Sequence, residues 1–435
     1  MNEIGVGLLG FGTVGAGVVE GLQKNGDLLA ERTGVRLALR RIADVDLERD
    51  RGVKVEPGVL TRDAAAVIND PAVQVVVELI GGTKIAKDLI LQALALGKPV
   101  VTANKALLAE HGEEIFAAAA RYHTDVFYEA SVAGGVPIIR ALREGLVANR
   151  IVRIYGILNG TCNYILTRMD REQMTFEHAL KEAQAAGFAE ADPGLDIDGH
   201  DTAHKAAILA ALAYGVQVPM SRVHVEGIRG LSKTDMECAR GLGYAIKLLA
   251  VIKCVDGAIE VRVHPTLVPA GHMIASVSGV FNVVLVEGDI VGQTAYYGRG
   301  AGRLPTASAV ISDLADVARR LAAGPGRLPE SAPRPAASAV YRDLGSIVSR
   351  YYLRLSLLDK PGMLGQVMTI LGRHGISIAS VLQKEMHAGR HVPVIIVTDQ
   401  AQEKDFEAAL RSLDAMDGVG GRTVRMRIED LGMEK

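Results

Sequence analysis

Apolar positions change their period along this chain. Residues 4–9, IGVGLL, make an unbroken apolar run of strand length, and VRLALRRIA at 35–43 reads as a second strand. VQVVVEL at 73–79, KPVVTA at 98–103 and DVFYEA at 125–130 are further strand candidates. Between them, TKIAKDLILQALALG and KALLAEHGEEIFAAAARYH carry helical spacing. Strands alternating with helices predict βαβ units and a parallel sheet. From about residue 150 the texture changes: RIVRIYGILNGTCNYILTRM leads into a long helical stretch ending near 214. Residues 258–297 then hold β-like pieces, EVRVHPTLV and NVVLVEG, before a Gly-rich turn and helix in GRGAGRLPTASAVISDLADVARRL. AGPGRLPESAPRPAAS at 323–338 has no period and is rich in Pro, Gly, Ser and Ala, which predicts a linker. Beyond it the pattern reads β-α-β-β-α with GRTVRMRI as a last strand, the ferredoxin-like order.

Length and charge narrow the classes. At 435 residues the chain is expected to divide into two or three domains. A net charge of −2 argues against nucleic acid or an anionic membrane as the main partner. Cys162, Cys238 and Cys254 have no CxxC or paired spacing, which fits a reducing compartment and predicts a cytoplasmic protein without structural zinc. The start, MNEIGVGLLG, lacks a basic leader pattern, and no uncharged apolar run reaches roughly 18 residues, so neither a signal peptide nor a membrane span is expected.

The first strand runs into GFGTVG, where Gly10, Gly12 and Gly15 fit G-x-G-x-x-G before a helix. The first glycine allows the turn, the second lets a pyrophosphate approach the backbone and the third lets helix and strand pack closely. Phe11, Thr13 and Val14 complete this loop, whose helix N-terminus offers N–H groups to an anion. A Rossmann-type dinucleotide-binding domain is therefore expected at 1–135 and 305–322, with an α+β domain at 136–304, a linker at 323–345 and the ferredoxin-like module at 346–435. Asp44 or Asp46, after the second strand, would accept a ribose 2′-OH and favour NAD, while Arg40 and Arg41 could meet the 2′-phosphate of NADP. A set of surface charges at a strand end is the plainer alternative. VTANKA places Thr102, Asn104 and Lys105 at the carboxyl end of the fourth strand, within reach of a cofactor crevice, or as an ordinary helix start.

Two stretches are chemically unusual. EASVAGGVP at 129–137 sets Glu129 before a turn of small residues, which reads either as a strained connection between domains or as a carbonyl-lined seat for a hard cation. ADPGLDIDGHDTAHK at 191–205 carries Asp192, Asp196, Asp198 and Asp201, follows Glu190, and ends on Lys205. Asp201 and Lys205 fall at i,i+4 on an Ala- and Leu-rich helix. A surface ion pair is the bland reading. A lysine held by a carboxylate against an apolar wall also makes a proton donor to a carbonyl oxygen. His200 and His204 match no zinc spacing.

These residues resemble a family. AQAAGFAEADPGLDIDGHDTAHK at 183–205 is similar to the signature of homoserine dehydrogenases: Ala183, Gly187-Phe188, Asp192-Pro193, Asp196-Ile197, Gly199, Asp201 and Lys205. GLLGFGTVG, TANKA, EASVAGGVPII, GILNGTCNYIL and GRGAGRLPTASAV resemble that family in the same order, and the C-terminal segment resembles an ACT regulatory domain. The resemblance implies NAD- or NADP-dependent interconversion of L-aspartate 4-semialdehyde and L-homoserine, with Lys205 as proton donor and Lys105 as a second lysine on the substrate and cofactor side. It implies that Glu190, Asp196, Asp201, Gly160 and Thr161 line the substrate pocket, and that Gly302 closes over the nicotinamide side. Glu129 with the carbonyls of Val132, Gly134 and Val136 would hold a structural sodium ion. A homodimer through the middle domain, or a homotetramer, is implied as well. Many members carry an arginine just after the second strand; IADVDLERD here departs from that and leans toward NAD or dual use.

In the ACT-like segment, LDKPGMLGQV at 358–367 places Asp359, Gly362, Met363 and Leu364 at the first strand–helix turn, where the resemblance implies a small effector such as L-threonine, with Ser377 opposite. On this reading residues 340–435 are separable from the chemistry. Two other readings share the same parts: an amine-forming amino-acid dehydrogenase, and a non-catalytic sensor of nucleotide and amino acid.

Overall fold

A computed structural model describes residues 2–324, 339–383 and 389–432, and these form two compact units. Most of the expected linker, 325–338, lies outside the described residues.

The first unit comprises Met1–Ile154, His204–Val223 and Phe281–Ala339. It begins with β1 (Asn2–Leu9), α1 (Thr13–Thr33), β2 (Val35–Ala43), β3 (Leu60–Thr61), α2 (Ala64–Asn69), β4 (Val75–Glu78), α3 (Lys84–Ala95), β5 (Val100–Thr102), α4 (Lys105–Arg121) and β6 (Val126–Phe127). The strands form a parallel sheet in the order β3-β2-β1-β4-β5-β6. Chain order reverses beside β1, so the β1–α1 turn stands at the topological switch point where such sheets bind ligands. Burial on both faces explains why β1, β4 and β5 read as apolar runs and not as alternations. Ile4, Val6, Leu8, Val75 and Val77 pack with Val18 and Val19 of α1 and with Val310 and Leu314 of the helix Arg303–Ala322. That helix packs along α1. The expected strands at 73–79, 98–103 and 125–130 are shorter in the structure, because their ends turn into the loops that carry polar residues.

The second unit comprises Tyr155–Ala203, His224–Val280 and Val340–Lys435. Its strands run side by side as Tyr244–Val255, Ala258–Pro269, Val424–Ile428, Val348–Leu358, His391–Thr398 and Ile378–Gln383. The last four, with the helices Met363–Arg373 and Glu403–Asp414, make the expected β-α-β-β-α-β module. Tyr351, Leu353, Val367, Leu371, Val394 and Phe406 lie in its core, and the rings of Tyr351 and Phe406 stack at 3.6 Å.

This module is not set apart as the linker suggested. Its strand Val424–Ile428 pairs in parallel with Ala258–Pro269, Thr266 opposite Arg427 and Leu267 opposite Ile428. The seam carries buried charge. Arg262 donates to Glu429 at 2.9 Å and lies 2.7 Å from Glu260, while Lys253 reaches Glu429 at 2.8 Å. Arg354 donates to buried Asp235 at 2.6 and 3.0 Å. Hydropathy patterning hid this seam, since arginine and glutamate along GRTVRMRIED look solvated until they are paired.

Candidate active site

In the first unit the first and third glycines have the steric roles their spacing implies. Gly10 has φ +96°, and a Cβ there would stand 2.6 Å from the Leu79 backbone. A Cβ at Gly15 would lie 2.3 Å from the Gly10 carbonyl, which is the close helix–strand approach. At Gly12 a Cβ would meet nothing within 4 Å, so the space before the α1 N-terminus is open. Phe11 is buried, Thr13 exposed and Val14 intermediate.

Asp44 directly follows β2 beside this loop. Its Oδ2 accepts the Phe11 N–H at 2.6 Å and its Oδ1 accepts the Asp46 N–H at 2.9 Å. Arg51 approaches Oδ1 at 3.2 Å, donates to the carbonyls of Phe11 and Asp46, and stands 4.9 Å over the Phe11 ring. Arg40 and Arg41 turn elsewhere, to Glu3 and to Asp70 and the Gly58 carbonyl. The sequence pattern does not flag Arg51, because it lies in an irregular loop with no periodic cue.

Glu78 and Thr102 end β4 and β5. Both are fully buried, and Thr102 Oγ1 donates to Glu78 Oε2 at 2.7 Å. Glu78 also accepts the Ile80 N–H at 2.8 Å, and burial raises its pKa despite these bonds. Thr102 Oγ1 in turn accepts the Asn104 N–H at 3.0 Å, and Asn104 caps α4 by accepting from Leu107. Lys105 is thus the first residue of α4, half-buried, at the carboxyl end of the sheet. Gly302 caps the helix Arg303–Ala322 with φ +121°.

Glu129 is buried, and its carboxylate accepts the N–H groups of Ile139 at 2.9 Å and Arg140 at 2.8 Å. Its own N–H donates to Asp313 at 2.9 Å. Burial raises the pKa of Glu129, and burial together with the Glu129 charge pushes Asp313 up to about 8. Val132, Gly134 and Val136 are buried in the following turn, with Gly134 at φ +48° and the Val136 carbonyl accepting Ile138 N–H at 2.8 Å.

In the second unit the acidic stretch separates into different tasks. Asp198 pairs with Arg229, and Asp192 accepts the Gly194 N–H at 3.1 Å. Asp196 and Asp201 converge on one donor: Asn159 Nδ2 reaches Asp196 Oδ1 at 2.7 Å and Asp201 Oδ2 at 2.8 Å. The Asn159 side-chain Oδ1 accepts the Cys162 N–H at 2.8 Å and so caps the helix Gly160–Glu172. That cap fixes Gly160 and Thr161 at the first turn, and Thr161 Oγ1 donates to the Phe188 carbonyl at 2.6 Å. Asn159 was not singled out in the sequence, although an Asn just before a helix is a cap signal. Glu190 is exposed, and its backbone carbonyl accepts from Gln184 at 3.1 Å. The helix His200–Tyr214, which belongs to the second unit up to Ala203 and to the first from His204, carries Asp201 and Lys205 one turn apart, each 8% exposed, which removes the surface-ion-pair reading.

In the C-terminal module Gly362 caps the helix Met363–Arg373 with φ +89°, Met363 is buried and Leu364 half-buried. Asp359 exchanges backbone bonds with Arg390 and Gly389 at 2.8 and 3.1 Å. Ser377 is exposed, and its carbonyl accepts Asp399 N–H at 2.9 Å.

A glycine loop at the switch point of a parallel sheet, joined to an α+β segment bearing a buried lysine and carboxylates, defines a dinucleotide-dependent oxidoreductase with an appended regulatory-type module. Family comparisons make this particular. Residues 10–129 match the homoserine dehydrogenase NAD-binding domain, 137–315 match homoserine dehydrogenase, and 351–415 match the ACT domain. The chain is 46% identical to the homoserine dehydrogenase of Pseudomonas aeruginosa, over 99% of this chain and 100% of that one. It is 43% identical to that of Neisseria gonorrhoeae over the same shares. A crystal structure of a homoserine dehydrogenase from Thiobacillus denitrificans, 45% identical, superposes with a TM-score of 0.93 over 99% of both chains. A hyperthermophilic archaeal homoserine dehydrogenase in complex with NADPH, 27% identical, gives 0.62 over 74% of this chain and 98% of that one. The chain belongs to the homoserine dehydrogenase family and is an NAD(P)-binding oxidoreductase of L-homoserine and L-aspartate 4-semialdehyde, carrying an ACT domain. Among the described residues no helix is long and apolar enough to cross a membrane.

Proposed function

We propose that Lys205 donates the proton and that the acidic turn before it receives the substrate. The dinucleotide supplies the hydride to C4 of the aldehyde when bound. Lys205 Nζ gives its proton to the aldehyde oxygen as that oxygen gains electron density, so the C–O bond becomes an alcohol. Asp201, one turn earlier on the same helix, orients Lys205. Glu190 and Asp196, with Gly160 and Thr161 at a helix N-terminus, suit the ammonium and carboxylate of a small amino acid. The observation that carries this reading is the Asn159 bridge, which ties Asp196 to Asp201 on the helix that bears Lys205.

On the cofactor side, Gly10, Phe11, Gly12, Thr13, Val14 and Gly15 receive the pyrophosphate, Asp44 the ribose, and Thr102, Lys105 and Gly302 the nicotinamide half. Asp44 favours NAD, with NADP accommodated through Arg51. Glu129 retains acceptor capacity beyond its two backbone bonds, and with the carbonyls of Val132, Gly134 and Val136 it suits a hard monovalent cation such as sodium in a structural role. Asp359, Gly362, Met363, Leu364 and Ser377 form the effector turn, with L-threonine as the favoured ligand. The functional division 1–135 with 305–322, 136–304 and 346–435 belongs to the same reading, as do a homodimer or homotetramer and a cytoplasmic location.

One assay separates the alternatives. NADH and NADPH oxidation is followed with L-aspartate 4-semialdehyde, with and without ammonium and with and without L-threonine. Turnover independent of ammonium is expected. A strict ammonium requirement would replace alcohol formation by reductive amination, and no turnover with either coenzyme would leave a sensor.

A further inference from the structure

The C-terminal module reaches the acidic turn through one continuous set of contacts inside the second unit. Arg427 is buried on the strand Val424–Ile428. Its Nε donates to Glu403 of the helix Glu403–Asp414 at 2.9 Å, and its Nη1 donates to Glu226 at 2.9 Å. Arg425 approaches the same Glu226 oxygen at 3.2 Å and also touches Glu403 and Glu407. His224 closes on Glu226 at 2.5 Å, and the Glu226 N–H donates to Val263 O at 2.7 Å. Burial opposes the Glu226 charge, but His224, Arg427 and Arg425 outweigh it and hold the carboxyl far below its ordinary range.

The three residues after Glu226 press on the substrate side. Gly227 lies so close to the turn that a Cβ would stand 2.2 Å from the Ile197 carbonyl and 2.5 Å from the Asp198 Cα. The Ile228 N–H donates to that same Ile197 carbonyl at 2.8 Å. Arg229 holds the Asp198 carboxylate with two nitrogens. Residues 227–229 therefore clamp Ile197 and Asp198, immediately after Asp196.

We propose that the C-terminal module braces the substrate-binding turn, with Glu226 and Arg427 as positioning residues that link Glu403 to the segment clamping Ile197 and Asp198. This rests on the reading of Asp196 and Asp201 as substrate-side groups. The module is thereby part of the apparatus that sets substrate affinity even with no effector bound. An effector that shifts the helix Glu403–Asp414 has a direct route to the substrate turn, since it need only change the register of Arg427 between two carboxylates.

The test uses the full chain. Glu226→Gln keeps the shape and removes the charge that Arg427 and Arg425 hold. Expected is a rise in KM for L-aspartate 4-semialdehyde of about fivefold or more, with kcat changed by less than about threefold and NADPH affinity unchanged. Arg427→Met, combined with Glu226→Gln in a double-mutant cycle, is expected to be strongly non-additive in KM. Arg425→Met, at the less buried rim, carries the test if either variant fails to fold, with a smaller rise in KM. Asp196→Asn is run beside them. If Asp196→Asn raises KM while folded Glu226→Gln and Arg425→Met do not, the brace is refuted and the substrate site stands. If none of them raises KM, the substrate site itself is wrongly placed. Equal losses of substrate and NADPH affinity would reduce Glu226 to general stability and also overturn the proposal.

Discussion

The carboxylate of Asp44 accepts the backbone N–H of Phe11 at 2.6 Å, and it does so while Arg51 stands 3.2 Å from its other oxygen. The acid proposed to read a ribose hydroxyl is therefore also part of the glycine loop. Its second neighbour is a cation whose carbonyl bonds and ring contact hold it in place. Asp44→Asn can keep an acceptor toward Phe11 but removes the charge facing Arg51. The expected outcome is a shift of the NADPH-to-NADH affinity ratio toward NADPH by about threefold to tenfold, roughly 1 kcal/mol. Fluorescence titration of both coenzymes checks it. An unchanged ratio would take Asp44 out of the ribose assignment.

Gly12 and Gly15 should fail in different ways. A methyl at Gly12 meets no atom within 4 Å, so Gly12→Ala folds normally and obstructs the ligand. NAD(P)H affinity should fall about tenfold or more, equivalent to roughly 1.4 kcal/mol, at unchanged melting temperature. A methyl at Gly15 would sit 2.3 Å from the Gly10 carbonyl, so Gly15→Ala should cost about 1–3 kcal/mol of stability before any ligand is added. Thermal melts paired with titrations distinguish the two, and a Gly12→Ala protein that binds coenzyme normally would move the pyrophosphate elsewhere.

These assignments differ in how far the sequence could carry them. The βαβ half was legible because burial on both faces writes itself as apolar runs, and because the glycines of GFGTVG have steric duties that few other residues can fill. The β-α-β-β-α-β module was legible from periodicity because its strands and helices bury one face in a common core. The charged seam between that module and the strand Ala258–Pro269 was not, since the partners of Arg262, Arg354 and Arg427 lie 119 to 201 residues away in sequence apart from near neighbours such as Glu260 and Glu403. The acidic turn was legible as a cluster, but its division of labour was not. Whether an aspartate pairs with Arg229, caps Gly194 or meets Asn159 depends on tertiary placement. Asn159 in GILNGTCNYIL carries a cap signal, an Asn directly before a helix.

Lys205 is 8% exposed and shares its helix with Asp201, itself held by Asn159 at 2.8 Å. Lys205→Ala should lower kcat by roughly 10²-fold or more, the usual span for a positioned general acid, with NADPH affinity retained. Lys205→Arg should not restore the rate, because a guanidinium does not release its proton near neutral pH. Steady-state kinetics with aspartate semialdehyde, together with NADPH titration, provide the check. Near-native turnover in Lys205→Ala would assign the proton to another donor.

Glu429 offers a pH test of the seam between the C-terminal module and the strand Ala258–Pro269. It accepts from Arg262 at 2.9 Å and from Lys253 at 2.8 Å. Burial alone would raise its pKa, but the Lys253 and Arg262 charges bring it down from the ordinary 4.5 to about 2. A carboxyl depressed in the folded state adds stability that is fully present above its unfolded value and fades as pH falls toward the folded one. That window runs from 4.5 down to about 2. Glu429→Gln leaves Arg262 and Lys253 facing a neutral amide, so at neutral pH it should destabilise the protein by about 3–5 kcal/mol, the usual cost of removing one partner from a buried ion pair. As pH falls below 4.5 the native protein loses the contribution that the variant already lacks, and the gap between them should narrow. Urea unfolding midpoints of both proteins, compared from about pH 7 to about pH 3, read this directly. A gap that stays constant across that range would mean that Glu429 is not held charged by the seam, and a gap near zero at pH 7 would mean that the seam does not stabilise the fold.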